Sequence, residues 1–424
     1  MGKNDGAWER LFEKYEILKR IEAEGKYIIS AEQIKEFREP RLMAKFDHKI
    51  NLPKLFSENS LAVLPISRGE YMISTFSAYQ NFEEVSPEVC RVSLPEYLQS
   101  LSPQFLLSES IALNYAAASG ILNDFLEDED ILPTVSGRMG SGAFDFEIMT
   151  NRGVLTVPVN NSQIEIDAAY EGVNYLSLFE AKKYLSDDFL IRQLYYPFRA
   201  WSARITKPVK TVFLLFSNGT FYLYQYRFED PRNYNSLRLV KQKNYSISRK
   251  IFLRDIEEII ENTPVVSEPE VAFPQANSMP RIINLMELLS ERALSKGEIT
   301  DKYAFDGRQT NYYTDAGRYL GLMEKRRGAD GRIEFFLTDS GKRIMKLDFA
   351  GRQLAVVEKI LRHRVFNETL KIYLRCGYRP DVRTVVGIMK ESGLYKVGSE
   401  STFVRRSSTV VRWIDWILGL IEQS

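Results

Sequence analysis

One stretch constrains this chain more than any other: KTVFLLFS, then Asn218-Gly219, then TFYLYQYRF. Asn-Gly between two β-branched and aromatic runs is the strongest short-range hairpin signal, because both central positions of the tight turn need positive φ. Two such strands call for a sheet, and the neighbouring sequence supplies more of one. AFDFEIM and QIEIDAAY alternate or nearly alternate, Gly172 turns the chain before NYLSLFEAKK, and DDFLIRQLYYPFRAWSARI returns to helical spacing. Upstream, SESIALNYAAASGILNDFLEDED has a helical period from Ser108, and glycines punctuate TVSGRMGSG after it as a flexible turn before a strand. The order helix, strand, strand, strand, helix, strand, strand predicts a mixed sheet flanked by helices, an α/β (α+β) core over residues 106–260.

The flanks differ in texture. Residues 1–105 form an N-terminal module: one or two helices over the first forty residues, then a strand-rich part from Ile50 to Glu84 bounded by Pro, Gly and Ser. Residues 261–280 carry four prolines among small and acidic residues without periodicity, which predicts a linker. Residues 281–347 spell three helices and a basic hairpin around Asp330-Gly331, and 348–424 a second helical module.

Composition removes several chemistries. A net charge of +1 advertises no global field, so any nucleic-acid contact must come from local patches. Two histidines, His48 and His363, are too few for His-rich zinc hydrolases, and two distant cysteines offer no zinc spacing and fit a reducing cytosol. GRMGSG lacks the GK[ST] of a phosphate loop, and neither GxSxG nor a methyltransferase-like NPP[YF] occurs. No apolar run is long enough for a bilayer and the start is polar, so the expected location is cytoplasmic, with no membrane partner.

What remains is a carboxylate–lysine constellation. Along a strand side chains alternate, so Glu180 and Lys182 share a face while Ala181 points away. Asp167 is expected to end the preceding strand, and Gly172 lets the chain turn back beside it. Two carboxylates and a lysine then converge at one sheet edge, a geometry suited to phosphodiester hydrolysis. Mg2+ takes hard oxygen ligands, here Asp167, Glu180 and the Ala181 carbonyl, and lowers the pKa of a bound water; Lys182 orients that water. The competing reading makes FEAKKYLSDDFLIRQLYY one amphipathic helix with a surface Glu180–Lys183 pair, but YLSLF is too apolar on both faces for it.

Asp167 thirteen residues before Glu180-Ala181-Lys182, between strands and followed by a helix, resembles the PD-(D/E)xK nuclease core over residues 108–230. The resemblance implies catalytic roles for Asp167, Glu180 and Lys182 and a Mg2+ cofactor, with Glu109 and Gln193 as accessory residues. Ile166 stands where the family's proline would, and Gln193 is followed by Tyr196 three residues on, with Pro197 in the fourth place. That spacing departs from the recombination-nuclease branch.

In such a nuclease Arg138 and Ser141 are expected to touch the phosphate backbone. Residues 281–347 read as a winged helix, with Arg308–Leu320 as recognition helix. Arg308, Gln309, Asn311 and Arg318 face outward to bases, and Lys325, Arg326, Arg327 and Arg332 lie on the wing. A winged helix used for protein contact is the other reading. In STFVRRSSTVVRWIDWILGL, Arg405, Arg406 and Arg412 suit phosphates, while Trp413, Trp416, Ile417 and Leu420 form a core stripe. The segment resembles the closing helix of a helix-turn-helix-like module in restriction proteins. Without motor or methylase motifs, the whole resembles a type II restriction endonuclease that cuts double-stranded DNA as a homodimer, its cognate DNA methyltransferase being a separate chain. A structure-directed repair or mobile-element nuclease, and a DNA-binding regulator with an inert core, are the alternatives.

Overall fold

The structure is a computed structural model of the 424-residue chain and describes residues 3–83, 88–101, 108–302, 305, 307–328 and 331–422. It divides into two compact units, the first drawn from residues before Ile247 and the second from Ile247 onward together with Ser217–Thr220.

The first unit begins with helices α1 (Lys3–Lys14) and α2 (Ile17–Glu24), strand β1 (Lys26–Ser30), and short helices α3 (Ala31–Lys35), α4 (Pro40–Met43) and α5 (Lys54–Glu58). Strands β2 (Ala62–Pro65) and β3 (Glu70–Ser74) follow, and β1-β3-β2 make an antiparallel sheet. The β1 strand lies inside the stretch expected to be helical. Gly25, at φ 78°, caps α2, and Tyr27 and Ile29 then alternate inward.

Next come β4 (Tyr79–Asn81), β5 (Val89–Arg91), α6 (Glu109–Ala118), α7 (Ile121–Leu126), β6 (Leu132–Gly140), β7 (Ala143–Thr150), β8 (Gly153–Asn160) and β9 (Gln163–Glu171). They lead to β10 (Leu176–Lys182), β11 (Asp188–Leu190), α8 (Arg192–Ser202), β12 (Val209–Ser217), β13 (Thr220–Phe228) and β14 (Leu237–Ser246). One mixed sheet of seven strands runs β5-β14-β13-β12-β10-β9-β6. The Asn218-Gly219 turn closes β12 onto β13 with φ 48° and 76°, the two positive values that this dipeptide favours. β10 and β12 are parallel, joined through α8, while β9 is antiparallel to β10. Of the glycines of TVSGRMGSG, Gly137 and Gly140 lie within and at the end of edge strand β6, and Gly142 lies in the turn expected before the next strand. Gly137, at φ 94°, follows a register shift against β9, as at a bulge.

Alternation along β10 divides its neighbours. Phe179 meets Tyr170, whose hydroxyl donates to Leu113 of α6, whereas Glu180 on the other face meets α8. Phe146, Phe189, Tyr195, Tyr196 and Phe213 fill the α8 side, and Ala62, Leu64 and Met72 of the N-terminal sheet share that core. The Tyr196 hydroxyl donates to the Pro65 carbonyl at 2.9 Å. The N-terminal residues keep a cluster of their own around Trp8, Phe12, Phe56 and Ile73, and their sheet is also packed into the core that follows it.

The second unit contains α9 (Leu253–Asn262), α10 (Met279–Glu291), β15 (Leu294–Ser295), α11 (Lys296–Lys302), α12 (Gly307–Tyr319), β16 (Met323–Arg327) and β17 (Ile333–Leu337). It continues through α13 (Asp339–Met345), α14 (Phe349–Leu361), α15 (Arg364–Cys376), α16 (Val382–Glu391) and α17 (Glu400–Gly419). Strands β15-β17-β16 form an antiparallel sheet. One apolar cluster runs from Ile251 through Leu285, Leu322 and Val357 to Ile417, so the expected division at 347/348 is absent. The expected linker is also absent as such. α9 occupies its first residues, Val266 bridges to His363, and Phe273 and Ala276 are buried. Prolines keep the segment irregular, but its apolar side chains anchor it. Among the described residues no helix is long and apolar enough to cross a membrane.

Candidate functional site

The site forms where a ladder stops. β9 and β10 pair from Leu176↔Glu171 to Phe179↔Ala168, and no further. At the next step the Asp167 side chain replaces the strand: its Oδ2 accepts the Ala181 amide at 2.8 Å. Amide and carbonyl of one strand residue project to the same side, so the Ala181 carbonyl faces the same opening. There it accepts the Lys182 ammonium at 3.2 Å. Asp167 thus sits in mid-strand, not at the end of β9 as its sequence position suggested. The strands diverge at the acid itself.

Glu180 is 7% exposed. Its Oε1 accepts Lys182 Nζ at 2.5 Å and Gln193 Nε2 at 2.6 Å. Gln193 lies in the first turn of α8, so the crossover helix returns a donor to the strand it left. A cavity of about 10 Å3 abuts Glu180 and Gln193, room for roughly one water. Burial pushes the Glu180 carboxyl up to about 7; Lys182 pulls it down, while Asp167 and Asp47 push it further up. Burial alone would lower Lys182, but Glu180, Tyr184, Asp167 and Glu109 outweigh it, and the ammonium is held well above its usual value. A simple ion pair would shift both partners toward their charged forms. Here only the lysine moves that way, because burial outweighs the pull of Lys182 on Glu180 and the charge of Asp167 adds to it. Glu109, at the start of α6, is raised by burial and feels Lys182 and Asp167, so it borders the same cluster. Among the described residues no three His, Cys, Asp or Glu side chains group closely enough to hold a metal by themselves.

The remaining candidates divide by exposure. Arg138 is exposed on β6 and donates to Glu165 at 3.1 Å. Ser141 is buried and its hydroxyl donates to the Gly142 carbonyl, so it offers nothing to a phosphate. On α12, Arg308 and Asn311 are exposed and Gln309 half-buried, while Ala316, Tyr319 and Leu320 face the core. Arg318 is half-buried and paired with Asp315 at 2.8 Å, so it does not face outward as expected. Lys325, Arg326, Arg327 and Arg332 are exposed on the β16–β17 hairpin, where Arg326 pairs with Glu334 and lies 5.0 Å from the Phe336 ring centre. A cleft of about 370 Å3 opens between α12 and that hairpin, with Lys296, Asn311, Asp315 and Lys325 in its wall. On α17, Arg405 and Arg412 are exposed, but Arg406 turns inward and donates to the Phe273 carbonyl. It fastens the proline-rich segment instead of meeting a phosphate. Trp413 and Ile417 are fully buried, and Trp416 and Leu420 pack against them.

Nothing in the local sequence marks His48, Tyr184 and Asp188 as a group. These form a buried hydrogen-bonded chain beside Lys182. His48 lies 136 residues before Tyr184, and no local pattern marks so distant a contact.

Comparison with known families divides the chain near the boundary of the two units and once more within the first. Residues 5–73 match a domain of unknown function (DUF6996), residues 74–246 a second (DUF6997) and residues 281–422 a third (DUF7226). The second match ends where β14 and the first unit end, and the third runs unbroken across 347/348. No curated protein and no solved structure matches the chain.

Proposed function

We propose that this chain is a Mg2+-dependent type II restriction endonuclease that hydrolyses both strands of double-stranded DNA at or near a short recognised sequence. The observation that carries the reading is the bond from the Ala181 amide to Asp167, at the point where the ladder stops and Glu180 and Lys182 continue alone. The order α6, β6, β9, β10, α8, β12, β13 agrees with a PD-(D/E)xK core. Asp167, Glu180 and the Ala181 carbonyl are the residues that would hold Mg2+, with water completing the shell. The set fits: all its donors are oxygen, and a divalent cation would offset the burial and the Asp167 charge that raise Glu180. When bound, Mg2+ supplies Lewis acidity at the phosphate and a more acidic water. Lys182 contributes positive charge beside the scissile phosphate and orients the attacking water, and Gln193 keeps Glu180 in place.

Recognition is assigned to the second unit. α10, α11 and α12 with β15, β17 and β16 follow the order of a winged helix. Arg308, Gln309 and Asn311 would read base edges, and Lys325, Arg326, Arg327 and Arg332 would bind phosphates. Arg138, Arg405 and Arg412 would bind further phosphates. A homodimer brings two centres to two strands, and a separate methyltransferase protects host DNA in the cytoplasm.

The purified chain and its Lys182→Ala variant, each incubated with unmethylated phage DNA and Mg2+, test this. Discrete fragments made only by the wild type are expected. A smear moves the reading to a structure-directed nuclease. Intact DNA that still shifts on a gel moves it to a DNA-binding regulator.

A further inference from the structure

The first unit buries one hydrogen-bonded chain that the cleavage reaction described above does not use. The His48 ring is 2% exposed and follows α4, within the residues of the first family match. Its Nδ1 lies 2.8 Å from the Asp188 carbonyl oxygen and 3.0 Å from Asp188 Oδ1. Both neighbours are acceptors, so Nδ1 carries the proton. Nε2 is hydrogen-bonded to the Tyr184 hydroxyl at 2.9 Å. The adjacent Lys49 amide donates to Asp188 Oδ2 at 3.0 Å. One ring therefore ties together both ends of the 184–188 segment.

That segment is the connection between Lys182, the last residue of β10, and Gln193, in the first turn of α8. Lys182 and Gln193 reach the same oxygen of Glu180, at 2.5 and 2.6 Å. Their joint approach depends on how the connection between them closes. β11 pairs with β4 beyond Asp188, which fixes the far end. His48 fixes the near end and joins it to the far one. The same loop carries Asp47, whose charge is felt at Glu180 and Tyr184, so the loop borders the centre.

We propose that His48 is a positioning residue for the carboxylate–lysine centre: by holding Tyr184 and Asp188 it sets the closure that brings Lys182 and Gln193 onto Glu180. The N-terminal region is then a working part of the nuclease. The proposal rests on the cleavage reading given above.

His48→Asn keeps a donor near Asp188 and removes the bond to Tyr184. Tyr184→Phe removes the same bond from the other side by deleting one oxygen. In the full chain each should slow single-turnover cleavage about 10-fold, with DNA affinity unchanged, as loss of a partner behind a reacting group does. The double variant should be no slower than the slower single one, because both remove one shared bond. Hydrogen exchange in β1 and α1 identifies any variant that has lost its fold, and Tyr184→Phe keeps the test open in that case. Variants that cleave as fast as a cleaving wild type, or that lose DNA affinity and rate together, overturn the role of His48 alone. A wild type that cuts no DNA overturns the nuclease reading and this role with it.

Discussion

The carboxylate–lysine centre of the first unit and the basic hairpin of the second both gather charge, but under opposite conditions. Glu180 and Lys182 have side chains 9% and 12% exposed, and each is held by the other and by neighbours. Lys325, Arg326 and Arg327 stand in solvent on β16. Buried charge is costly unless paired, so every member of the first group depends on the rest. Exposed charge costs little and acts nearly additively. Substitutions should therefore be all-or-none in one region and graded in the other.

The largest effect is expected at Lys182. Lys182→Ala should lower the cleavage rate about 10³-fold while DNA still binds, measured as single-turnover cleavage beside a gel-shift titration. A graded loss of a few fold would make Lys182 no more special than a surface lysine.

The next effect is one of stability. Glu180 has a pKa of about 7 in the folded chain against 4.5 for an ordinary glutamate. Folding thus favours its protonated form, so the penalty for ionising it is absent below pH 4.5 and complete above about pH 7. Between those values the wild type should lose about 3 kcal/mol relative to Glu180→Gln, which carries no such proton. Denaturant unfolding of both proteins across this range measures it. Parallel curves would mean that Glu180 is not held as an acid in the fold.

The smallest effects separate two kinds of basic residue. Replacing Lys325 and Arg327 by alanine should weaken binding to all DNA sequences alike and reduce the salt slope by about 1 for each phosphate left without its cation. Arg406→Ala should leave affinity unchanged and cost about 2 kcal/mol of stability, since its guanidinium holds the Phe273 carbonyl. Equal affinity losses in the two would erase the distinction between surface and core charge.

Features set by neighbours in sequence were legible. Alternation put Glu180 and Lys182 on one face, and Asn218-Gly219 located a turn with two positive φ values. The 3.6-residue period separated Ala316, Tyr319 and Leu320 from Arg308 and Asn311. Pairings over long sequence distances were not legible. Helical spacing in residues 1–40 concealed β1, whose partner Glu70–Ser74 lies some forty residues on. Proline content marked 261–280 as irregular, which is correct, but could not reveal that Phe273 is buried or that Arg406 reaches its carbonyl. Ser141 was expected to touch phosphate, yet it is buried just past the end of β6. At the centre, the residue types could be read but not the break in the ladder, because that depends on where β9 stops pairing with β10. His48 belongs with these: its role lies wholly in partners 136 and 140 residues away.

Whether the carboxylate–lysine centre holds a divalent cation is tested by a calorimetric titration of Mn2+, as a tight-binding substitute for Mg2+, into the full chain and into Asp167→Ala, in the absence of DNA. Saturable binding is expected for the wild type and loss of that binding for the variant, which removes one proposed ligand and the acceptor of the Ala181 amide. Equal binding by both proteins would contradict this, because the oxygens where β9 and β10 part would then hold no ion.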